Sequence, residues 1–283
     1  MKLSIVTISF NQCDFLKRCM DSVLTQRTDL EKIGVELEYI VVDPGSKDGS
    51  RELIESYGDQ VVKVFEKDDG PADGLNKGFA LATGDIYGYL NSDDVYLPGK
   101  LSEAMSFFSK SNSVDVIYGN SYIADGNGIA IKRFSSNSFD LKRFAMGGVV
   151  ICQQSTFFKS DAFKSVSGFN AENHTSWDAE LVVDMALAGA VVKWVNKYWA
   201  IFSIYDGTIT GSQRMAELSE KNRARIFQKI MGRDMLPSDK WKKLLVRVQK
   251  WILNPVSLCV PVCCRLRVEK YFIPDLEIRI KKD

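Results

Sequence analysis

The side chains best suited to chemistry in this 283-residue chain are acids placed just after short apolar runs. Asp93 and Asp94 follow the run at 86–90, with Tyr96 close behind. Adjacent carboxylates repel each other unless water or a cation neutralises them. Mg²⁺ or Mn²⁺, which take oxygen ligands, would do so while joining the acids to substrate phosphates. A solvated acidic turn accounts for the pair equally, and the pair alone does not decide. Asp43 closes a second apolar run, 37–42, and opens Pro44-Gly45-Ser46-Lys47-Asp48-Gly49-Ser50. An acid there can accept hydrogen bonds from a ribose or a base N–H, and Gly45 and Gly49 allow tight backbone turns. Asp48 or Ser50 would also serve to cap the helix that follows.

These acids need elements that bring them to one place. Residues 3–9, 37–42, 61–66 and 86–90 read as buried strands. Between them, Phe15, Cys19 and Val23 recur at helical spacing, and 50–57 makes a short helix. Gly70-Pro71 punctuates the start of a helix carrying Leu75, Phe79 and Ala82. Such alternation predicts an α/β fold with a mostly parallel central sheet flanked by helices. Ligands of open α/β sheets bind beyond the carboxyl ends of the strands. Ser9 and Asn11, then Asp43, then Asp93 and Asp94 all fall at those ends. After residue 114 the pattern changes. Residues 114–118 are strand-like, Asp125-Gly126-Asn127-Gly128 reads as a hairpin turn, and 178–188 is helical. Residues 191–195 and 199–204 read as two further strands, and from about Arg214 the chain is helical and increasingly basic.

The motifs become specific in combination. Thr7-Ile8-Ser9-Phe10-Asn11, Val42-Asp43-Pro44-Gly45-Ser46, Asp73-Gly74-Leu75-Asn76-Lys77-Gly78, Ala82-Thr83-Gly84-Asp85 and Leu90-Asn91-Ser92-Asp93-Asp94 occur in that order. Gln154-Ser155-Thr156-Phe157-Phe158, Gly168-Phe169-Asn170 and Trp177-Asp178-Ala179-Glu180-Leu181 follow. The set resembles the family 2 glycosyltransferases, which have the GT-A (Rossmann-like) fold and, in inverting members, move a sugar from a nucleotide diphosphate to a hydroxyl. The resemblance implies a GT-A domain over 1–212, with a nucleotide-sugar half at 1–112 and an acceptor half at 113–212. A helical, basic extension occupies 213–283.

The same resemblance implies roles. Thr7, Ser9 and Asn11 would line the nucleotide pocket, and Asp43 would contact the base or ribose. Asp73 and Asn76 would face the pyrophosphate or donor sugar. Asp93 matches the acid that contacts ribose and metal, Asp94 the chief ligand of Mn²⁺ or Mg²⁺, and Asp178 the general base. Family habit points to UDP-hexose donors and a lipid-linked glycan acceptor, as in O-antigen and other surface-polysaccharide synthesis. Three departures stand out. Asn91 occupies a place where many relatives carry a third acid, and Trp177 one where many carry Glu. No His lies near Tyr205, and the one histidine, His174, reads as a loop residue.

Composition excludes some classes. A net charge of +1 gives no general attraction to nucleic acid. Ser9-Phe10-Asn11-Gln12 is not a glycine-rich phosphate loop, which counts against a nucleotidyltransferase or a nicotinamide dehydrogenase. A non-catalytic protein on the same fold is opposed by Asp43, Asp93, Asp94 and Asp178 together. The six cysteines lack a paired zinc spacing and read as reduced thiols. The first ten residues do not form a signal peptide, and no run reaches the roughly 20 apolar residues of a membrane span. The expected location is therefore cytoplasmic. Trp241, Leu244, Leu245, Val248 and Trp251 recur at helical spacing among lysines and arginines. That stretch reads either as an inner-membrane surface anchor or as helices docked on the domain with a solvated basic face.

Overall fold

Four strands with apolar residues on both faces carry the amino-terminal half of the sheet. They are β1 (Lys2–Ile8), β2 (Glu36–Val42), β3 (Val62–Val64) and β4 (Ile86–Asn91). All four run parallel in the order β3-β2-β1-β4. The computed structural model describes residues 1–125, 130–205, 215–253, 267–273 and 276–282. Gly126-Asn127-Gly128 of the expected hairpin turn, Asp206-Gly207, and the 256–264 stretch with Cys259, Cys263 and Cys264 lie outside them.

Alternation along each strand divides the core in two. Leu3, Ile5, Leu37, Tyr39, Val41 and Leu90 point to one face and meet Leu16, Met20 and Val23 of α1 (Cys13–Leu24) and Leu101 and Met105 of α5 (Lys100–Lys110). Val6, Ile40, Val42, Tyr87 and Tyr89 point to the other. They meet α4 (Pro71–Leu81) and α8 (Trp177–Leu187) through Leu75, Phe79, Leu181 and Met185. Strands covered on both faces are what a parallel sheet requires. Helices α2 (Arg27–Glu31), α3 (Ser50–Ser56), α6 (Leu141–Ala145) and α7 (Ser160–Ser165) are short connectors.

Strands within residues 113–212 extend the same sheet. β8 (Thr156–Lys159) runs antiparallel between β4 and β6 (Val116–Ala124), and β7 (Ala130–Phe134) is antiparallel to β6. β9 (Val192–Ser203) is one strand where the sequence suggested two. It runs parallel to β6 with register shifts around Gly119, and its end pairs with β5 (Val95–Tyr96). A Cβ at Gly119 would come within 2.7 Å of the Trp199 ring and 2.8 Å of the Lys197 carbonyl, so glycine is what lets the strands close there.

The extension is helical over α9 (Ala216–Met231) and α10 (Pro237–Leu253) and then departs from the expected all-helical form. β10 (Arg267–Ile273) and β11 (Leu276–Lys282) are antiparallel strands, joined to the sheet edge at β7. Leu276, Ile278 and Ile280 alternate with charged residues, a period of two that a helix does not use. No helix among the described residues is long and apolar enough to cross a membrane.

Helix α4 lies so close to the sheet that its glycines are steric necessities. A Cβ at Gly78 would stand 2.4 Å from Val6 Cγ1 and 3.0 Å from Val42 Cγ2. These valines have little rotamer freedom to yield. Gly78→Ala is therefore expected to lower unfolding free energy by about 1–3 kcal/mol in urea titration, despite alanine's better helix propensity.

Candidate active site

A cavity of about 960 Å³ opens at the carboxyl ends of β1 and β4. Its wall includes Ser9, Gln12, Asn91, Asp93, His174 and Asp178, with Lys67 and Pro71 from the approach to α4. Three of the expected site residues, Ser9, Asp93 and Asp178, thus share one cavity although they are far apart in the chain.

The paired acids divide. Asp94 is fully buried and does not line the cavity. Its Oδ1 accepts the Ser203 N–H at 2.9 Å and its Oδ2 accepts Gln154 Nε2 at 3.0 Å. Burial, and then Asp93 beside it, push its carboxyl well above the usual range. Asp93 does reach the cavity wall. Tyr205 Oη donates to its Oδ2 at 3.3 Å, and its carbonyl accepts Ser203 Oγ at 2.5 Å. Arg18 lies beneath, with Nη2 at 3.4 Å from that same carbonyl. Burial raises the Asp93 carboxyl as well, against the pull of Tyr205 and Arg18.

The loops after β1 and β2 are tied together. The Asn11 N–H donates to Ser46 Oγ at 2.8 Å, and Asn11 Oδ1 accepts the Lys47 N–H at 3.0 Å. Asn11 manages this with a left-handed backbone, φ 50°, which asparagine tolerates better than most residues. Asp43 is fully buried; its Oδ1 accepts from the N–H groups of Gly45 and Ser46 and from Arg51 Nε. Among the described residues Asp43 Oδ2, Ser9 Oγ and Asn91 Oδ1 are buried oxygens without a partner. Such oxygens are uncommon in folded proteins. All three stand at or next to the carboxyl ends of neighbouring strands β2, β1 and β4.

Asn11, Asp43 and Asp94 adjoin the wall without lining it, and three further expected residues lie elsewhere. Thr7 points into the core, where its Oγ1 accepts from Tyr39 Oη at 3.0 Å. Asn76, expected at the pyrophosphate, is a clamp. Its Nδ2 donates to the Phe169 carbonyl at 2.8 Å and its Oδ1 accepts the Phe169 N–H at 2.9 Å. Asp73 pairs with Lys77 at 2.9 Å and accepts the Asp69 N–H at 3.0 Å. Helical spacing turns both side chains from the cavity, and their hydrogen bonds keep them there.

Asp178 and Glu180 part as two residues of one helical turn must, by about 200°. Asp178 is half-buried on the cavity wall in the first turn of α8, and burial raises its carboxyl. Trp177 packs beside it on Tyr89 and Phe169, ring centroids 5.5 Å and 5.3 Å away, an apolar task a Glu could not perform. Glu180 faces away and is 1% exposed. Burial alone would raise its carboxyl, but Lys229 Nζ at 2.9 Å, Asn173 Nδ2 at 2.7 Å and Arg225 Nη2 at 2.7 Å bring it below the usual Glu range. Asn222, also on α9, donates from Nδ2 to Asn173 Oδ1 and to Thr175 Oγ1, both at 2.8 Å. Helix α9 thus holds the loop that enters α8.

Sequence reasoning missed Gln12, Gln154 and Asn222. Gln12 Nε2 donates to Tyr205 Oη at 3.0 Å, and its Oε1 accepts from Ser92 Oγ. Gln154 stood within a recognised motif without a role. Asn222 carries no local signal, because its partners are some 50 residues away. No group of three or more His, Cys, Asp or Glu side chains able to hold a metal occurs among the described residues. A hard cation that takes one or two carboxylates and completes its shell with substrate phosphates and water does not need one. Asp93, with the unpartnered Asn91 Oδ1 close in sequence on the same wall, fits that mode. Cys19 and Cys152 are buried free thiols and Cys13 is half-buried.

Comparison with known proteins gives a consistent result. Residues 4–166 match the family described as Glycosyl transferase family 2. An uncharacterized glycosyltransferase of Nostoc sp. is 34% identical over 140 residues, which are 48% of this chain and 41% of that protein. One from Mycobacterium tuberculosis is 29% identical over 192 residues, 65% of this chain and 69% of that protein. The match spans 57% of a Rickettsia typhi relative, so these proteins extend well beyond the matched part. Among solved structures, S. aureus TarS 1-349 in complex with UDP-GlcNAc aligns with a TM-score of 0.65 at 17% identity, covering 93% of this chain and 76% of that one. A mannosyltransferase from Pyrobaculum calidifontis in complex with GDP-Man and Mn²⁺ aligns at 0.60 and 15% identity, covering 91% and 72%. At such identities the likeness establishes the fold, the GT-A arrangement.

The opposed settings of the two acids on α8 predict opposite phenotypes for stability. Glu180→Gln removes the charge that Arg225 and Lys229 meet and should lower unfolding free energy by about 1–3 kcal/mol at neutral pH. A carboxyl held below its ordinary pKa stabilises above the unfolded-state value of about 4.3 and loses that contribution as pH falls. Wild type and variant should therefore converge in acid, whereas Asp178→Asn removes a charge that burial disfavours and should raise the urea midpoint at neutral pH.

Proposed function

The chain belongs to glycosyl transferase family 2, and we propose that it is an inverting enzyme transferring a hexose from a UDP donor to an acceptor hydroxyl on a lipid-linked glycan. We place this step in surface-polysaccharide synthesis at the cytoplasmic face of the inner membrane. The observation that carries the reading is a single cavity walled by Asp93, just after β4, and Asp178, in the first turn of α8. One acid lies among strand-end oxygens suited to a nucleotide, the other at the start of a helix in the acceptor half. Solved relatives in fold bear UDP-GlcNAc or GDP-Man with Mn²⁺.

In this reading Asp43, Ser9 and Asn11 serve the base and ribose. The unpartnered Asp43 Oδ2 and Ser9 Oγ take ligand hydrogen bonds, while Asn11 shapes the loop. Asp93 takes the metal-facing place the resemblance gave to Asp94, and Asp94 anchors the loop from behind. Bound Mg²⁺ or Mn²⁺, held by Asp93 and the Asn91 amide oxygen, would neutralise charge on the departing diphosphate. Lys67 brings an ammonium to the same wall. Asp178 accepts the proton of the acceptor hydroxyl as the new C–O bond forms, since a sugar hydroxyl is a poor nucleophile at neutral pH. One direct displacement inverts the anomeric centre, so an α-linked donor gives a β-linked product.

Two outcomes test these assignments. Asp178→Asn keeps size and hydrogen bonding but cannot take a proton, and kcat for transfer should fall by about 100-fold or more with UDP affinity unchanged. Because burial raises the Asp178 carboxyl, the acidic limb of wild-type kcat should lie above the ordinary Asp range and vanish in the variant. Retention of that limb in Asp178→Asn would move the base elsewhere. For the metal, EDTA should silence transfer and Mn²⁺ or Mg²⁺ restore it in the wild type, whereas Asp93→Ala should stay silent after metal is returned.

A further inference from the structure

Helix α10 meets the rest of the protein with one face and turns a different chemistry outward. On the inner face Asp239 is fully buried and accepts from Arg233 Nη1 at 2.6 Å and Nη2 at 3.1 Å. Lys243 Nζ stands 5.5 Å from the centre of the Phe227 ring, and Val246 packs with Ala145, Met146 and Phe227. Residues 239, 243 and 246 share a side at 100° per residue. On the opposite side Trp241 is 72% exposed, Leu245 68% and Leu244 49%. These three stand at i, i+4 and i+3, one contiguous apolar face.

A helix that merely covered the domain would turn charge to the solvent. Here the charge flanks the apolar face, with exposed Lys240 and Lys242 about 100° to either side of Trp241. Lys242 reaches Asp239 at 3.6 Å, with its side chain still 60% exposed. The sequence continues with Arg247, Lys250, Arg265, Arg267 and Lys270 against Glu269 alone. A tryptophan and leucines bordered by lysines match the two layers of an anionic bilayer surface, acyl boundary below and phosphates above. A protein partner would need complementary acids around an apolar groove.

We propose that the Trp241–Leu244–Leu245 face of α10 docks on an anionic lipid surface. The location has a consequence for the cavity. A Cβ at Gly148 would come 2.3 Å from Val246 Cγ1, so the helix lies directly on that segment. Ile151, three residues on, lines the cavity. Three residues span at most about 10 Å of chain. The helix that meets lipid therefore sits beside the segment that walls the cavity, where a lipid-borne acceptor would arrive. This last step rests on the glycosyltransferase reading; the docking itself does not.

The test uses the full chain and vesicles of phosphatidylcholine with or without about 30% phosphatidylglycerol, at physiological salt where screening acts beyond about 8 Å. Wild type should sediment with the anionic vesicles and show a blue-shifted tryptophan emission. The double variant Trp241→Glu, Leu245→Glu should lose at least about tenfold in vesicle affinity, because both side chains are exposed and their loss removes only the docking face. A UDP-induced thermal shift, equal in both proteins, certifies that the variant is folded and its cavity intact. Equal vesicle binding by the two proteins overturns the proposal, and so does absence of binding by the wild type. A change from dimer to monomer in the variant without a change in vesicle affinity overturns it too, reassigning the face to a second copy. Vesicle binding without any UDP shift would instead defeat the UDP-donor reading and leave the docking surface standing.

Discussion

A carboxylate with no access to water must be met by protein donors, and Asp94 is met by two that come from opposite parts of the fold. One is the backbone N–H of Ser203 at the end of β9, the other the amide of Gln154 just before β8. Leaving such a group unpaired would cost several kcal/mol, so the three segments assemble together or not at all. The arrangement fixes the end of β4, and Asp93 one residue earlier is thereby aimed into the cavity. Asp94, which the resemblance names as the chief metal ligand, also orders the loop on which its neighbour stands.

The amino-terminal half was legible from the sequence because its signals are local. β1, β2 and β4 announce themselves as apolar runs, and polar residues at their ends mark where a ligand would sit. The second half was less legible. β8 lies in a motif that gave no sign of strand, and α5 was not read, although Leu101, Ala104, Met105 and Phe108 stand at i, i+3, i+4 and i+7. β9 looked like two strands because Asn196-Lys197 interrupts the apolar pattern, yet the strand continues through them beside a bulge in β6.

Site residues divide along the same line. Ser9, Asp93 and Asp178 reach the cavity. Thr7 and Asn76 do not, since which way a side chain points depends on packing that no motif encodes. Thr7 follows Leu3 and Ile5 onto the α1 face of its strand and finds Tyr39 there. Asn76 finds the backbone of Phe169, a residue 93 positions away. The choice between Asp178 and Glu180 needed only helical geometry to pose, but it took the cations of α9 to show what the second acid does.

That dependence of Glu180 on α9 also sets an order of events in the life of the chain. Arg225 and Lys229 are synthesised 45 and 49 residues after the acid they meet. Until they emerge from the ribosome, seating α8 would bury a carboxylate with only asparagine amides as company. The amino-terminal sheet waits less long, because the two donors that meet Asp94, Gln154 and Ser203, are made before Arg225, in keeping with folding that proceeds from the amino terminus. The wall carrying Asp178 is therefore set last, and a nascent chain with Ser203 but not Arg225 outside the ribosome would hold a closed amino-terminal sheet beside an unseated α8.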